Sequence, residues 1–175
     1  EIKFNQNNEV DIIFNHPYSH GGFTQVNERM NEILKNLVTD KGKALFKECD
    51  KIVDLFGGSG NLSKNLSTTP CLVVDSYGEG LLVDKDGHQE FLRMNLYGKQ
   101  SPSLIVDKLN LYKNPGVILD PPRSGLKNIN DFFPLLTNVT NIIYVSCNPA
   151  TLFRDILLLE NFELTELHLI DLFPC

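Results

Sequence analysis

The chain has 175 residues, enough for one domain with a buried core, and its composition is ordinary for a globular protein. No apolar run approaches the roughly 20 residues of a membrane-spanning helix, and the first residues lack a signal-peptide pattern, so we expect neither feature. The formal net charge of −6 excludes attraction of the whole surface to nucleic acid, so an RNA or DNA partner would require a local basic patch or another domain.

The N-terminal part predicts an extended lead-in followed by a helix. Residues 1–22 are the lead-in, with a short strand at 12–14 and a loop that contains Pro17. From Thr24 onward, apolar residues recur at helical spacing along one face, namely Val26, Met30, Ile33, Leu34 and Leu37. This pattern is typical of a helix that packs on a sheet.

From residue 52 onward, apolar strands alternate with helices. The predicted strands cover residues 52–56, 71–75, 91–94, 117–120, 142–146 and 164–173. The predicted helices are a short one from about residue 61, one at 129–136, and one from Pro149 to about Leu159. Residues 76–90 fit either a hairpin or a crossover helix. This alternation predicts an α/β fold with a mostly parallel sheet covered on both faces.

The cysteines and histidines do not form a metal-binding pattern. Cys49, Cys71, Cys147 and Cys175 are far apart and contain no C-x-x-C pair, which argues against a disulfide framework, a zinc site and an iron–sulfur cluster. The four histidines are scattered along the chain. We therefore expect no bound metal and a reducing, cytoplasmic setting.

Cys147 is the most informative residue of the chain, because it lies between a predicted strand and a predicted helix. The strand ends at Ser146, Asn148 is a good N-cap, and Pro149 suits the first helical position. Open α/β sheets build their sites at the carboxyl ends of strands, and a helix N-terminus favours the nucleophilic thiolate. A cysteine that only filled a core would more often lie inside the strand. Position alone leaves a chemical and a structural role open.

A glycine-rich turn at residues 57–60 follows the strand that carries Asp54. Glycine lets the backbone approach a ligand closely at a strand end. The nicotinamide fingerprint would need another glycine where the chain has Ser63. Asp75 ends the next strand, about twenty residues further on, where a carboxylate can bind ribose hydroxyls. Together these features favour an adenosine-containing ligand over turns that bind nothing.

The run Asp-Pro-Pro-Arg-Ser-Gly at residues 120–125 follows the strand predicted at 117–120. Its two prolines hold the backbone extended and rigid beyond the sheet edge. Asp120 and Arg123 are therefore expected near the same edge as Cys147. The alternative is a plain connecting loop with a solvated arginine, for which this run would be an unusual choice.

Four segments together resemble the S-adenosylmethionine-dependent RNA uracil-5-methyltransferases, which form 5-methyluridine in transfer or ribosomal RNA. They are residues 23–27, 54–61, 120–125 and 146–151, with residues 171–174 as a weaker fifth. The pair Asp-Pro-Pro-Arg-x-Gly and Ser-Cys-Asn-Pro is the specific part, since the glycine turn is shared by all class I methyltransferases. The resemblance implies a class I, Rossmann-like catalytic domain over residues 1–175.

The resemblance also implies roles for individual residues. Contacts with the cofactor S-adenosylmethionine are implied for Phe23, Gln25, Asp54, Phe56, Gly57, Gly58, Gly60, Asp75, Asn95 and Asp120. Of these, Asp75 would bind the ribose, Asn95 would lie near the adenine, and Asp120 would lie near the methionine part and the target base. Glu79 is an alternative ribose ligand, because the segment after Asp75 is short and rich in turn residues.

The implied catalytic residues are Cys147, the nucleophile, and Asp120, while Arg123 and Asn148 would contact the RNA. Carbon 5 of uracil is a poor nucleophile, and a thiolate that adds at carbon 6 turns it into an enolate-like centre. A base must then remove the carbon-5 proton before the thiolate leaves. A uridine inside folded RNA must also be flipped out or presented in a loop.

The chain departs from the family in what lies outside these segments. The family's proton-abstracting glutamate follows the segment matched by residues 171–174, and this chain ends at Cys175, so we expect it not to complete turnover. The family's RNA-binding barrel and central domain have no counterpart, so we expect most RNA affinity to be missing. The strand that carries the glutamate is missing too, which predicts an unpaired sheet edge. The edge would lead to self-association or to a displaced final segment.

Three other functions are compatible with parts of the sequence. An RNA cytosine-5-methyltransferase would usually carry a cysteine directly after the Pro-Pro pair, where this chain has Arg123. An inactive cofactor-binding domain would keep the glycine turn without the chemistry of Cys147. A nicotinamide oxidoreductase is disfavoured by Ser63 and by the Ser-Cys-Asn-Pro segment.

Overall fold

The structure, a computed structural model, describes residues 2–4, 10–12, 28–66, 68–76, 82–83, 87–127 and 138–171. Several expectations lie outside these residues. They are the start of the first helix at Thr24, the strand beyond residue 12, the cofactor contacts of Phe23 and Gln25, the alternative carboxylate Glu79, and the helix at 129–136.

Eight strands and three helices make up the described part of the chain. The strands are β1 (Ile2–Phe4), β2 (Val10–Ile12), β3 (Lys51–Leu55), β4 (Cys71–Asp75), β5 (Leu82–Val83), β6 (Gln89–Arg93), β7 (Pro115–Leu119) and β8 (Asn141–Tyr144). The helices are α1 (Glu28–Leu45), α2 (Ser101–Leu109) and α3 (Pro149–Leu157). None of these described helices is long and apolar enough to cross a membrane.

The main sheet has six strands in the order β5-β6-β4-β3-β7-β8, and β1 and β2 form a separate antiparallel pair. In this sheet the five adjacent strands β6, β4, β3, β7 and β8 run parallel to one another. The remaining strand, β5, pairs antiparallel with β6 at the edge of the sheet. The chain builds outward from β3 to β4 and β6, and then returns to the other side of β3 with β7 and β8. This confirms the predicted α/β fold and agrees with a class I methyltransferase. The reversal lies between β3 and β7, and ligands bind beside such a reversal in open sheets.

The central strands are apolar on both faces, because helices cover both sides of the sheet. Every residue of β3 and β7 is buried. One face packs against α2 through Ile105 and Leu109, and the other packs against α1 through Leu34 and Val38. The near-continuous apolar runs predicted this arrangement correctly.

The connections around β5, β6 and β7 settle two points of the sequence analysis. β5 pairs antiparallel with β6, so the hairpin was the correct alternative for residues 76–90. Helix α2, which connects β6 to β7, was not predicted from the sequence. Its signals were Pro102 near the start and the buried pair Ile105 and Leu109 at helical spacing.

The prediction of a short helix from about residue 61 was wrong, because residues 58–65 form turns. Gly58 and Gly60 have positive φ, which a right-handed helix does not allow. The Ser63 hydroxyl also donates a hydrogen bond to Asp54 and leans toward the carbonyl of Gly60. Side chains that bond to nearby groups in this way compete with the helical pattern.

The prediction of a final strand at 164–173 was also wrong, because residues 164–171 form no strand. Glu166 pairs with Lys41 of α1, and Ile170 packs against the cluster on the α1 side of the sheet. The side chain of Leu169 is 94% exposed. The segment is thus displaced from the sheet, and within the described residues β8 pairs only with β7. Self-association through that edge stays a prediction.

Candidate active site at the carboxyl ends of the strands

The turn after β3 is shaped by the carboxyl group of Asp54, whose residue is fully buried. Phe56 has a φ of +64°, so the chain turns sharply as soon as the strand ends. A Cβ on Gly57 would lie 2.6 Å from Cγ of Asp54, closer than any side chain can tolerate. Only glycine therefore lets the backbone pass over this carboxyl group at residue 57.

Among the described residues, one carboxyl oxygen of Asp54 accepts a hydrogen bond and the other does not. Ser63 Oγ donates to Oδ2 of Asp54 over 2.6 Å, and Gln89 Nε2 in turn donates to Ser63 Oγ over 3.0 Å. Oδ1 of Asp54 is buried and has no hydrogen-bond partner among the described residues. A buried acceptor without a partner is costly, so this oxygen is suited to a donor that a ligand brings.

Two further carboxyl groups face the same turn. Asp75, at the end of β4, accepts a hydrogen bond from the backbone N–H of Gly58 over 3.0 Å. Asp120 directly follows β7, and its N–H donates to the carbonyl of Leu55 over 3.2 Å. Three acidic residues from three neighbouring strands thus meet at the point where the strand order reverses.

This crowding shifts two pKa values. The pKa of Asp54 is raised to about 7, chiefly by burial and also by the nearby Asp120 and Asp75, while the hydrogen bond from Ser63 opposes the rise. Burial, together with Asp75, raises the pKa of Asp120 to about 6. No basic side chain of the described residues contributes to either shift. The cluster therefore favours a cation or a hydrogen-bond donor as its ligand.

Asn95 lies beyond the end of β6, at the same edge of the sheet. Its Oδ1 accepts from the N–H of Tyr97 over 3.1 Å, and its carbonyl accepts from the hydroxyl of Ser101 at the start of α2. The Tyr97 ring packs on the ring of Phe56 with centroids 5.3 Å apart. Asn95 thus stabilises the connection between β6 and α2 and brings an aromatic side chain against the glycine turn.

Cys147 is exposed and lies in the short connection between β8 and α3. Oδ1 of Asn148 accepts from the N–H of Ala150 over 3.1 Å, and Pro149 opens the helix. This is the predicted cap, so the thiol stands directly before a helix N-terminus. Cys49 and Cys71 are buried, and burial raises the pKa of both thiols, to about 12 for Cys71. Cys147 is thus the accessible thiol among the described cysteines.

The loop at residues 120–125 is tied directly to the Cys147 segment. The carbonyl of Arg123 accepts from Asn148 Nδ2 and from Thr151 Oγ1, each over 3.3 Å. The side chain of Arg123 is exposed. Asp120, Arg123, Cys147 and Asn148 therefore share one edge of the sheet, as the sequence predicted. Within the described residues, no group of three or more His, Cys, Asp or Glu side chains could hold a metal ion.

Comparisons with known proteins agree with this geometry. Residues 91–175 match the model of the tRNA (uracil-5-)-methyltransferase family. A Nitrosomonas europaea protein described as an uncharacterized RNA methyltransferase is 32% identical over 168 residues, which cover 90% of the chain and 40% of that protein. By sequence, the chain is similar to RNA methyltransferases over most of its length.

Two proteins that are named as 23S rRNA uracil-5-methyltransferases match a similar share of the chain. The 23S rRNA (uracil(1939)-C(5))-methyltransferase RlmD of Salmonella choleraesuis is 35% identical over 166 residues, which cover 90% of the chain and 37% of RlmD. The RlmD of Vibrio parahaemolyticus is 32% identical over an alignment of 190 residues that covers 99% of the chain and 40% of that protein. The chain thus spans about two fifths of the length of these relatives.

The residues whose side chains form hydrogen bonds with the turn and the loop of the site were not predicted from the sequence. Ser63 was used only as an argument against a nicotinamide cofactor, although its hydroxyl orients Asp54. Gln89, Tyr97 and Asp155 were not predicted, and each forms a hydrogen bond with a turn or loop of the site. The sequence offered no local signal for these residues, because the partner of each side chain is distant in sequence.

Proposed function

We propose that this chain is the catalytic domain of an RNA uracil-5-methyltransferase, which transfers a methyl group from S-adenosylmethionine to uridine in transfer or ribosomal RNA. The observation that carries the proposal is the position of Cys147. An accessible thiol lies at a helix N-terminus, and the next residue, Asn148, donates a hydrogen bond from Nδ2 to the carbonyl of Arg123 in the loop that begins with Asp120. A nucleophile and an acidic ligand cluster therefore lie at one edge of the sheet.

The residues present fit the proposed cofactor. S-adenosylmethionine carries an ammonium group and a sulfonium centre, and ribose hydroxyls that donate hydrogen bonds. Asp54 and Asp120 provide carboxyl groups with no basic partner among the described residues, and Oδ1 of Asp54 lacks a donor there. We assign these two to the charged methionine part, together with the turn formed by Phe56, Gly57, Gly58 and Gly60.

The adenosine part is assigned to the neighbouring strand ends. Asp75, at the end of β4, is the carboxylate for the ribose, and Asn95, after β6, lies on the side where the adenine is expected. Phe23 and Gln25 remain predicted contacts from the resemblance alone. When bound, the cofactor supplies an electrophilic methyl group.

Cys147 supplies the nucleophile. Its thiolate adds to carbon 6 of the uracil, which forms a sulfur–carbon bond and moves the electrons of the ring double bond toward carbon 5 and the carbonyl oxygen. Carbon 5 can then attack the methyl group, whose bond to the sulfonium sulfur would break so that a neutral thioether leaves. Completion of turnover requires a base, assigned to no residue of this chain, that takes the proton from carbon 5; the electron pair left behind would restore the double bond and expel the thiolate. The α3 N-terminus favours the thiolate at the start and its release at the end.

The exposed side chains around the thiol are assigned to the RNA. Arg123 has an exposed guanidinium that can bind a phosphate or a base edge, and Asn148 lies next to the nucleophile. A uridine must leave the base stack before its carbon 6 can contact the thiol of Cys147. The substrate is therefore a uridine in a loop or one that is flipped out of a helix. With a net charge of −6, the chain has to achieve this by local contacts.

The test is intact-mass spectrometry of the chain after mixing with S-adenosylmethionine and a short RNA hairpin that contains 5-fluorouridine. Fluorine cannot leave carbon 5 as a proton does, so the covalent adduct accumulates without the final proton removal. We expect one RNA adduct per chain. Cys147→Ala should abolish it, and Cys175→Ala, which removes a different cysteine, should leave it unchanged.

The alternatives give different outcomes in the same experiment. Binding of S-adenosylmethionine by calorimetry with no adduct would contradict the proposal and select an inactive cofactor-binding domain. An adduct with 5-fluorocytidine RNA, but not with 5-fluorouridine RNA, would select a cytosine-5-methyltransferase.

A further inference from the structure

Asp155 is a fully buried carboxylate on α3 that the proposed chemistry does not use. Its Oδ2 accepts from the N–H of Leu126 over 2.8 Å and from the hydroxyl of Tyr144 over 2.6 Å. Its Oδ1 accepts from Nε of Arg154 over 2.8 Å. A buried charge is costly unless it is paired and hydrogen-bonded, so this side chain holds all three partners in place.

These partners come from the elements that carry the site. Tyr144 ends β8, Leu126 follows the loop at 120–125, and Arg154 reaches from α3 to the carbonyl of Ser124 over 3.1 Å. A Cβ on Gly125 would lie 2.4 Å from Oδ2 of Asp155, and the φ of Gly125 is +67°. The loop therefore packs directly on the carboxylate, and only glycine fits at that contact.

The same loop is held on its other side by Tyr97. The Tyr97 hydroxyl donates to the carbonyl of Gly125 over 2.8 Å, and its ring packs on Phe56 of the glycine turn. A continuous chain of contacts thus runs from the cofactor turn, through Gly125 and Asp155, to the helix that begins after Cys147.

We propose that Asp155 is a positioning residue, which fixes the distance between the loop that carries Asp120 and Arg123 and the segment that carries Cys147. This inference rests on the proposed function. Its physical basis is that Asp120 would hold the methyl donor while Cys147 holds the base, so their separation decides whether methyl and carbon 5 meet. A displacement of about 1 Å is enough to lower a rate by about a hundredfold.

The test uses Asp155→Asn, which keeps the size of the side chain but removes its charge. The rate at which the methylated Cys147 adduct forms at saturating 5-fluorouridine RNA should fall by at least about tenfold, while the Kd for S-adenosylmethionine stays within about twofold. The N–H of Leu126 should exchange with deuterium faster, whereas the amides of β7 should be unchanged. Tyr144→Phe removes a single donor and should give a smaller change in the same direction.

Glu160→Gln is the matched control, because Glu160 is an exposed carboxylate just beyond α3. An unchanged adduct rate in Asp155→Asn, or a rate that falls only with the folded fraction, would overturn the inference. If the unmodified chain forms no adduct, the proposed function fails, and the inference, which rests on it, is overturned with it. If the unmodified chain forms the adduct, unchanged exchange of the Leu126 amide in Asp155→Asn would overturn the inference alone. Should Asp155→Asn not fold, Tyr144→Phe carries the same test.

Discussion

The environment of the Asp54 carboxyl group is the strongest indication of the ligand that this site binds. This carboxyl group is fully buried, one oxygen is held by Ser63, and the other has no partner among the described residues. Its pKa of about 7 lies far above the ordinary 3.8, because burial and two nearby acidic residues disfavour the charge. A bound cation would reverse that balance, so ligand binding and ionisation should be coupled.

We therefore expect the affinity for S-adenosylmethionine to increase with pH. Asp120 and Asp54 ionise at about pH 6 and about pH 7, and the ionised forms attract the charged methionine part. Calorimetry should give a Kd that is lower by about tenfold or more at pH 8 than at about pH 5.5. In Asp54→Asn most of this dependence should vanish, and in Asp107→Asn, an exposed control, it should persist. Parallel curves for the wild type and Asp54→Asn would contradict the assignment of Asp54.

The sequence predicted the residues of this cluster better than their environment. Asp54, Asp75 and Asp120 each end or follow an apolar strand, and parallel strands bring such residues to one edge. The orientation of the Asp54 carboxyl group depends on a hydrogen bond from Ser63, which in turn accepts one from Gln89, and both residues lie outside β3. Local spacing contains no information about such partners.

Among the elements, α3 was predicted almost to its bounds because its start is encoded locally. Asn148 caps the helix and Pro149 has the φ that the first turn needs. The segment at 164–171 shows the opposite case, since an apolar pattern is not enough to make a strand. A strand also needs a neighbouring edge, and this segment is held near α1 instead.

The cap gives a prediction for the stability of α3. Asn148→Ala removes the acceptor for the N–H of Ala150 and should lower the free energy of unfolding by about 1 kcal/mol. Asn148→Asp keeps the capping oxygen but loses the donation to Arg123, so it should cost much less. Urea denaturation measures both, with Asn138→Ala as an exposed control. An equal loss in the two Asn148 variants would show that the contact with Arg123, and not the cap, stabilises this helix.

At the scale of the whole molecule, the strand order explains why the site lies where it does. The sequence predicted the parallel sheet, because β3, β4 and β7 are apolar runs that only a doubly covered sheet accommodates. It did not predict α2, whose apolar positions are few, or the displaced final segment. Both depend on which surfaces remain uncovered after the central strands have packed.

The acidic cluster should also make the stability of the ligand-free chain depend on pH. Groups whose pKa is raised in the folded state contribute stability below their ordinary pKa of 3.8 and lose it as the pH passes the folded value. Stability should therefore fall between about pH 4 and about pH 7, relative to Asp54→Asn, with a slope of at most ~1.4 kcal/mol for each pH step of one. Thermal unfolding of both proteins across this range measures it, with Asp107→Asn as control. A constant difference between wild type and Asp54→Asn would contradict the raised pKa.

The proposed function requires a covalent bond between Cys147 and a uracil ring, and tandem mass spectrometry can locate that bond. After reaction with S-adenosylmethionine and 5-fluorouridine RNA, the adduct is digested with nuclease and protease, and its peptides are sequenced by tandem mass spectrometry. We predict a methylated fluorouracil nucleotide on the peptide that contains Cys147, attached at that residue. A nucleotide on any other residue, or a Cys147 peptide that stays unmodified while the cofactor binds, would contradict the account.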